Sequence, residues 1–280
     1  MRRKRENIML AYPADSGRIE RLGKSFFVQP KYRGQRCRVE WFHGEPVLLS
    51  SYGVEFRFFP HIVEELKKLP QLPYDGEIYV HGWSQEEINT VANRTVNKHP
   101  LSEKMQFHIF DYQTEGVYQF HRVQKLLELQ RDNIAFQSEV IELVPTTFAT
   151  RYTWQPILQD IMSLGYEGII FRKMDSYYTR KRNVCLLKFK PTHKDEYVIT
   201  GVYEAIDKYG EPKNMVGGFT VKGDDGTEFN VGAGKLTHQK RIDYWKDREE
   251  IVGKQLLVKH EDEKTRHGVP VCAVAAEVIK

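Results

Sequence analysis

Polar and apolar residues alternate with period two over Arg36-Cys37-Arg38-Val39-Glu40-Trp41, which predicts a strand. His43-Gly44-Glu45-Pro46 reads as a turn, and residues 47–50 as the returning strand of a hairpin. Ile62, Val63, Leu66 and Leu69 fall at helical spacing, so a helix is predicted over 60–69. Tyr74-Asp75-Gly76-Glu77-Ile78-Tyr79-Val80 is a turn running into a strand. Ser84 is the expected N-cap of a short helix ending at Val91, with Glu86 and Glu87 in its first turn. A strand is predicted over 106–112. Amphipathic helices are predicted over 121–131 and 154–164, the second stopped by Gly165. Short strands over 168–172 and 185–190 follow, while residues 1–25 are mixed.

The pattern changes near Pro191. Short strands at 197–202, 218–221, 229–231, 255–259 and 270–276 alternate with Gly-rich turns such as Lys222-Gly223-Asp224-Asp225-Gly226. One helical stretch, 236–245, interrupts them. This spacing predicts a small all-β barrel of about ninety residues. The chain is therefore read as α+β, with domains at 1–192 and 193–280 and no fixed-period repeat.

Composition removes several classes. Hydrophobic residues at 40% of the 280 support a core, which excludes a disordered chain. No apolar run approaches the roughly 18 residues of a membrane helix. The basic start Met1-Arg2-Arg3-Lys4-Arg5 lacks the apolar stretch of a secretory signal, so a cytoplasmic protein is expected. Cys37, Cys185 and Cys272 are dispersed and odd in number, which argues for reduced thiols and against a disulfide framework or zinc site. The net charge of +4 is unevenly placed: residues 21–38 and 172–190 carry +6 each, leaving −8 on the rest. Such patches suit a polyanion.

Lys31, Glu77, Phe110, Glu167, Lys188 and Lys190 fall at or beside the ends of separate predicted strands, where a sheet offers groups to a cleft. Two carboxylates among several cations suit a nucleoside triphosphate and a hard metal ion. Five segments sharpen this: Lys31-Tyr32-Arg33-Gly34-Gln35-Arg36, Asp75-Gly76-Glu77-Ile78-Tyr79, Phe107-His108-Ile109-Phe110-Asp111-Tyr112, Glu167-Gly168-Ile169-Ile170-Phe171-Arg172 and Leu187-Lys188-Phe189-Lys190. In order and approximate spacing they resemble the motifs of small, phage-type ATP-dependent DNA ligases of the covalent nucleotidyltransferase superfamily. That superfamily also holds RNA ligases and mRNA capping enzymes. Val231-Gly232-Ala233-Gly234 and Val252-Gly253-Lys254 are similar to segments of the OB-fold domain of such ligases.

The resemblance implies an adenylyltransferase domain of antiparallel sheets flanked by helices over 1–192, then an OB-fold β-barrel over 193–280. It implies ATP and Mg²⁺ as cofactors and sealing of 5′-phosphate/3′-hydroxyl nicks in duplex DNA, as used in replication, repair and recombination. Lys31 would attack the α-phosphate and become lysyl-AMP, expelling pyrophosphate. AMP would pass to the nick 5′-phosphate, and 3′-hydroxyl attack would seal the strand. A free lysine has a pKa of about 10.4. Desolvation and nearby cations favour the neutral amine, and Arg36, Lys188, Lys190 and a metal ion are the expected cations. Glu77 and Glu167 are similar to the acids that contact ribose or metal. Phe110 resembles the aromatic that stacks on adenine, with core packing as the alternative. Ile169 either covers the other adenine face or is a core isoleucine. Gln29 holds the adenine-reading position and Arg36 that of a ribose- and phosphate-contacting arginine. Lys188 and Lys190, alternating on one strand, point the same way and match the pair that holds the α-phosphate.

Three positions depart from the family pattern. Arg33 stands where an Asp is usual, and points either at the nucleophile or at phosphate. Ser50-Ser51-Tyr52-Gly53 lacks the arginine of a Ser-Arg pair that grips the nick 5′-phosphate, which leaves Arg57 as a substitute. Residues 269–280 hold no counterpart of the closing Arg-x-Asp-Lys-like motif, leaving Arg266 or Lys280. Arg180, Lys181 and Arg182 are expected on DNA phosphates, whereas the head at 2–5 reads as a solvated charge run. The expected partner is nicked duplex DNA bound by a monomer of bacterial or viral origin, with the loop 207–213 as the candidate to close over it. An RNA ligase, motivated by Arg33, and a nick-binding protein without catalysis, motivated by the unmatched last motif, are the alternatives.

Overall fold

The computed structural model describes residues 7–223, 225–261 and 269–279. The basic head at 2–5, Arg266 and Lys280 lie outside the described residues. The chain divides into two units, Met1–Phe189 and Lys190–Lys280.

The first unit opens with β1 (Leu10–Pro13), α1 (Ser16–Arg21), β2 (Ser25–Pro30), β3 (Gln35–Phe42) and β4 (Glu45–Ser50). It continues with α2 (Pro60–Leu66), β5 (Tyr74–Tyr79), α3 (Gln85–Ala92), β6 (Gln106–Tyr112) and α4 (Gln119–Asp132). It closes with β7 (Ile141–Leu143), β8 (Thr147–Thr150), α5 (Trp154–Ser163), β9 (Ile169–Arg172) and β10 (Arg182–Phe189). The strands form two five-stranded sheets, ordered β1-β10-β9-β2-β8 and β4-β3-β5-β6-β7. Both are mixed, where antiparallel sheets were expected: β1 runs parallel to β10, and β6 to β7. Each parallel pair is joined through a long connection carrying helix, as parallel neighbours require.

Local chemistry explains the boundaries. His43 (φ 51°) and Gly44 (φ 86°) form a two-residue hairpin between β3 and β4. Two left-handed residues match the twist of the flanking strands. Ser84 and Glu87 close a reciprocal capping box that starts α3. Helix α2 stops at Leu66, short of the expected 69, ahead of Pro70, yet Leu69 still reaches the core from the following turn. Strand β10 ends at Phe189 because Pro191 lacks an N–H and restricts the residue before it.

Two apolar layers hold the sheets. Phe26, Val28, Phe171 and Leu187 pack with Ile19 of α1 and Ile161 of α5. Ile62, Ile88 and Leu126 from α2, α3 and α4 pack with Val39, Ile78, Phe107 and Ile109. Full burial of each such side chain contributes about 1.5–3 kcal/mol.

The second unit contains β11 (His193–Ile206), β12 (Pro212–Lys222), β13 (Glu228–Gly232), α6 (His238–Lys246), α7 (Arg248–Ile251), β14 (Gln255–His260) and β15 (Val274–Ile279). Its strands close a barrel in the order β11-β12-β13-β15-β14 around Phe219, Val231, Leu256 and Val258. The last strand starts at Val274 rather than 270, because Cys272 (φ 56°) turns the chain first. All three cysteines are free. Among the described residues, no helix is long and apolar enough to cross a membrane.

Candidate active site

Lys31 leaves β2 where Glu167 enters β9. These strands pair antiparallel up to Pro30 and Ile169. Beyond them the Lys31 N–H donates to the Gly168 carbonyl at 2.8 Å, and the Glu167 N–H to the Lys31 carbonyl at 3.3 Å. This extension brings the two side chains together, and Lys31 Nζ is ion-paired to Glu167 Oε2. Arg33 Nε lies 3.9 Å from Glu167 Oε1, so the unexpected arginine faces the same carboxylate. Between them Tyr32 points into an aromatic cluster with Tyr79, His108 and Tyr166, at 4.8, 4.9 and 5.0 Å between ring centroids. Next, Gly34 leaves no room for a side chain: a Cβ there would sit 2.6 Å from Glu77 Cγ. The ion-pair partner of Lys31 is Glu167, and Arg36 is turned toward Asp75.

Arg36 on β3 pairs in register with Glu77 on β5. Its Nε and Nη2 each donate to the Asp75 carboxylate at 2.6 Å. The Tyr178 hydroxyl donates to the same carboxylate at 2.6 Å and accepts the Met9 N–H. Burial pushes the Glu77 carboxyl up to about 7; Arg36 and Lys31 oppose the shift, while Asp75 and Glu167 add to it. Glu77 and Phe110 lie inside their strands rather than at the ends, so sheet faces as well as strand ends build this site.

A bulge aims Phe110. Asp75 pairs with Asp111 and Gly76 with Ile109, which leaves Phe110 as the extra residue on β6. Its ring lies 4.5 Å from the Arg36 guanidinium and 5.1 Å from that of Arg172, distances at which an aromatic face attracts cations. Behind it, Asp111 accepts from Arg122 Nε at 2.7 Å and from Arg172 Nη1 at 2.8 Å.

Gln29 is 2% exposed and its amide orientation is determined by its partners. Nε2 donates to the Phe110 carbonyl at 3.2 Å and to Thr146 Oγ1 at 2.8 Å. Oε1 accepts from Arg172 Nε at 2.5 Å. A carbonyl cannot donate and a guanidinium cannot accept, so the amide has one orientation. Both N–H groups are used, and only an acceptor lone pair on Oε1 is left.

The remaining predicted residues divide. Ile169 is fully buried in the apolar layer with Val28 and Phe171, which is the core-packing alternative. Lys188 lies near the end of β10, opposite Ile170. Lys190 does not share that strand with Lys188. It lies past the strand end, in the second unit, where Nζ pairs with Glu261 Oε1 at 3.0 Å. Arg57 is exposed and paired with Glu55 at 3.0 Å. Arg180, Lys181 and Arg182 are all exposed. Arg180 and Lys181 line a cavity of about 410 Å³ with Thr114, Glu115 and Tyr178, whereas Arg182 donates to the Ala11 carbonyl and covers the Tyr12 ring.

Asp75, Asp111 and Arg172 stand in the sequence motifs and Tyr178 at the head of the basic segment 178–183, all without an expected role, whereas Arg122 and Thr146 belong to neither. An acid inside an apolar strand was the available signal for Asp111, since a buried charge needs a partner. Thr146 and Tyr178 carried no such signal.

Among the described residues, no group of three or more His, Cys, Asp or Glu is placed to hold a metal ion unaided. Glu77 and Glu167 are hard oxygen donors of the kind that fit a Mg²⁺ ion, which commonly takes one or two carboxylates together with substrate phosphates and waters.

The family model of the ATP dependent DNA ligase domain matches residues 8–190. The chain belongs to this ligase family. A DNA ligase of Haemophilus influenzae is 28% identical over 169 residues, a match covering 60% of this chain and 60% of that relative's length. A solved structure described as Pmar-Lig_PreS3 superimposes with a TM-score of 0.83 at 19% identity, covering 97% of this chain and 67% of that one. A structure from work on Lig E DNA ligases, titled as DNA binding with a minimal scaffold, superimposes with a TM-score of 0.74 at 21% identity, covering 98% and 99%. The five motifs of this ligase-family chain, residues 31 to 190, all fall within the matched segment, and the fold is that of the two structures.

Proposed function

We propose that the chain is an ATP-dependent DNA ligase that seals 5′-phosphate/3′-hydroxyl nicks through lysyl-AMP on Lys31 and adenylylated DNA. The observation that carries this reading is the ion pair of Lys31 with Glu167, in a family member whose Glu77 and Arg36 come from the facing sheet. In the first step the Lys31 Nζ–phosphorus bond forms and the bond to pyrophosphate breaks. Attack needs the neutral amine, so a proton leaves Nζ, and Glu167 is the acceptor in contact with it. The Gln29 Oε1 lone pair accepts from the adenine amino group, Phe110 offers its ring to the base, and Lys188 faces the α-phosphate. Glu77 and Glu167 would hold Mg²⁺, which would supply charge neutralisation of the phosphates. The five-stranded barrel is read as the OB-fold domain, and Arg180 and Lys181 as DNA-phosphate contacts.

Incubation with labelled ATP and Mg²⁺ is expected to give a covalent adenylate that Lys31→Ala abolishes, and nicked duplex DNA is expected to be sealed. A wild-type protein that forms no adenylate and seals no pre-adenylylated nick ends this reading. Preferential sealing of nicked RNA would replace DNA by RNA as the substrate.

A further inference from the structure

Beside the Lys31 loop, between β3 and the end of α3, lies an open cavity of about 490 Å³ that the nucleotide chemistry does not use. Gln35, Ser50, Tyr52, Glu55, Asn93 and Arg94 line it. We infer that this cavity docks a phosphate of the DNA strand, with Arg94 as its cation. The inference rests on the ligase reading for the identity of the strand.

Four observations carry it. Arg94 is exposed, and only its Nε is used, donating to the Thr90 carbonyl at 3.1 Å. Its two terminal amino groups have no hydrogen bond or ion pair among the described residues. A paired fork of N–H groups facing open space is the geometry that phosphate oxygens match. The Ser50 hydroxyl oxygen already accepts the Tyr52 and Val54 N–H groups, at 3.3 and 3.1 Å, which leaves its proton to donate. Tyr52 is 44% exposed and offers a ring to a base or sugar. The one acid of the lining, Glu55, is matched by Arg57 at 3.0 Å, so Arg94 sets the sign of the cavity.

The cavity is also tied to the nucleotide site. Gln85 of α3 donates to the Gly34 carbonyl at 3.3 Å and to Asn89 Oδ1 at 3.0 Å, and Gln35 donates to the same Asn89 oxygen. The helix that delivers Arg94 is thus fastened to the loop that carries Lys31. A strand phosphate in the cavity would lie one loop away from the lysine.

The test compares wild type, Arg94→Ala and Arg94→Lys by fluorescence anisotropy on labelled nicked duplex DNA over a range of salt, without ATP. Arg94→Ala is expected to bind about tenfold more weakly, with a slope of log affinity against log salt smaller by about 0.9, the signature of one lost phosphate contact. Arg94→Lys is expected to keep the slope and lose part of the affinity, because it keeps the charge without the fork. Self-adenylylation by ATP involves no DNA and is expected at the wild-type level in both variants. Wild-type affinity and slope in Arg94→Ala would overturn the inference. So would loss of self-adenylylation in that variant, which would make Arg94 a structural residue. Failure of wild type itself to adenylylate would count against the ligase reading and leave the binding result standing.

Discussion

The Gln29 amide donates to the Thr146 hydroxyl at 2.8 Å, and that hydroxyl donates onward to the Val144 carbonyl at 3.2 Å. The chain of donors runs one way, because the Val144 carbonyl can only accept. Thr146 Oγ1 must therefore accept from Gln29, and Gln29 must present its oxygen toward Arg172 and any base. Thr146→Val removes one of the three partners that orient the amide and leaves the Phe110 carbonyl and Arg172, so the flipped amide, which would offer an N–H suited to a carbonyl-bearing purine, becomes less disfavoured. The ratio of adenylylated to guanylylated protein, read with labelled ATP and GTP, is expected to fall about tenfold, the worth of one hydrogen bond. Thr146→Ser should restore it. An unchanged ratio in Thr146→Val would dismiss the lock.

Asp111 is the shared ion-pair partner of two buried guanidiniums, Arg122 and Arg172. Asp111→Asn keeps the shape but leaves both cations short of a counter-charge. Breaking a buried pair from one side costs about 3–5 kcal/mol, so urea denaturation should show a loss of that order. A loss below about 1 kcal/mol would mean that backbone carbonyls such as those of Val117 and Ser176, which also accept from Arg122, suffice.

Much of the site could be read in the residues, and its limits are physical. Lys31, Glu77, Glu167 and Arg36 were singled out because the five motifs, in order, resemble those of the ligase family, and the fold brings Lys31 to Glu167 and Arg36 opposite Glu77. The β3–β4 hairpin was found because alternation and a turn signal coincide. Strand β1 was missed: its partner β10 lies some 170 residues away, and Leu10-Ala11-Tyr12-Pro13 has no period of its own. Lys190 was placed on the strand of Lys188 because alternation alone does not see that Pro191 ends pairing. The Asp75 and Asp111 networks stayed hidden because their partners come from distant segments, and only the fold brings Tyr178 or Arg172 to them.

Gly34 packs against the Glu77 side chain and the Ile78 carbonyl, with no space for a methyl group. Gly34→Ala must therefore displace β5 or the Lys31 loop. Overpacking of this kind costs about 1–3 kcal/mol. A drop in melting temperature is expected together with a larger fall in self-adenylylation, because the displaced loop carries the lysine. Wild-type melting and adenylylation in the Gly34→Ala protein would show that the loop yields freely.

Glu77 gives the stability a particular pH dependence. Its carboxyl titrates at about 7 in the folded chain against an ordinary value of 4.5. The folded state thus holds a proton that the unfolded state releases between those two values. Stability from this group is full below the unfolded value, falls as pH rises toward 7, and is level above it. Glu77→Gln stays neutral throughout and lacks this fall. Urea unfolding of both proteins in EDTA between pH 4.5 and 8.5 is the measurement, since the effects of groups not coupled to Glu77 cancel in the difference. Relative to wild type, Glu77→Gln should gain up to about 3 kcal/mol across that range, most of it before pH 7. Parallel pH profiles for the two proteins would mean that Arg36 and Lys31 already compensate the buried charge.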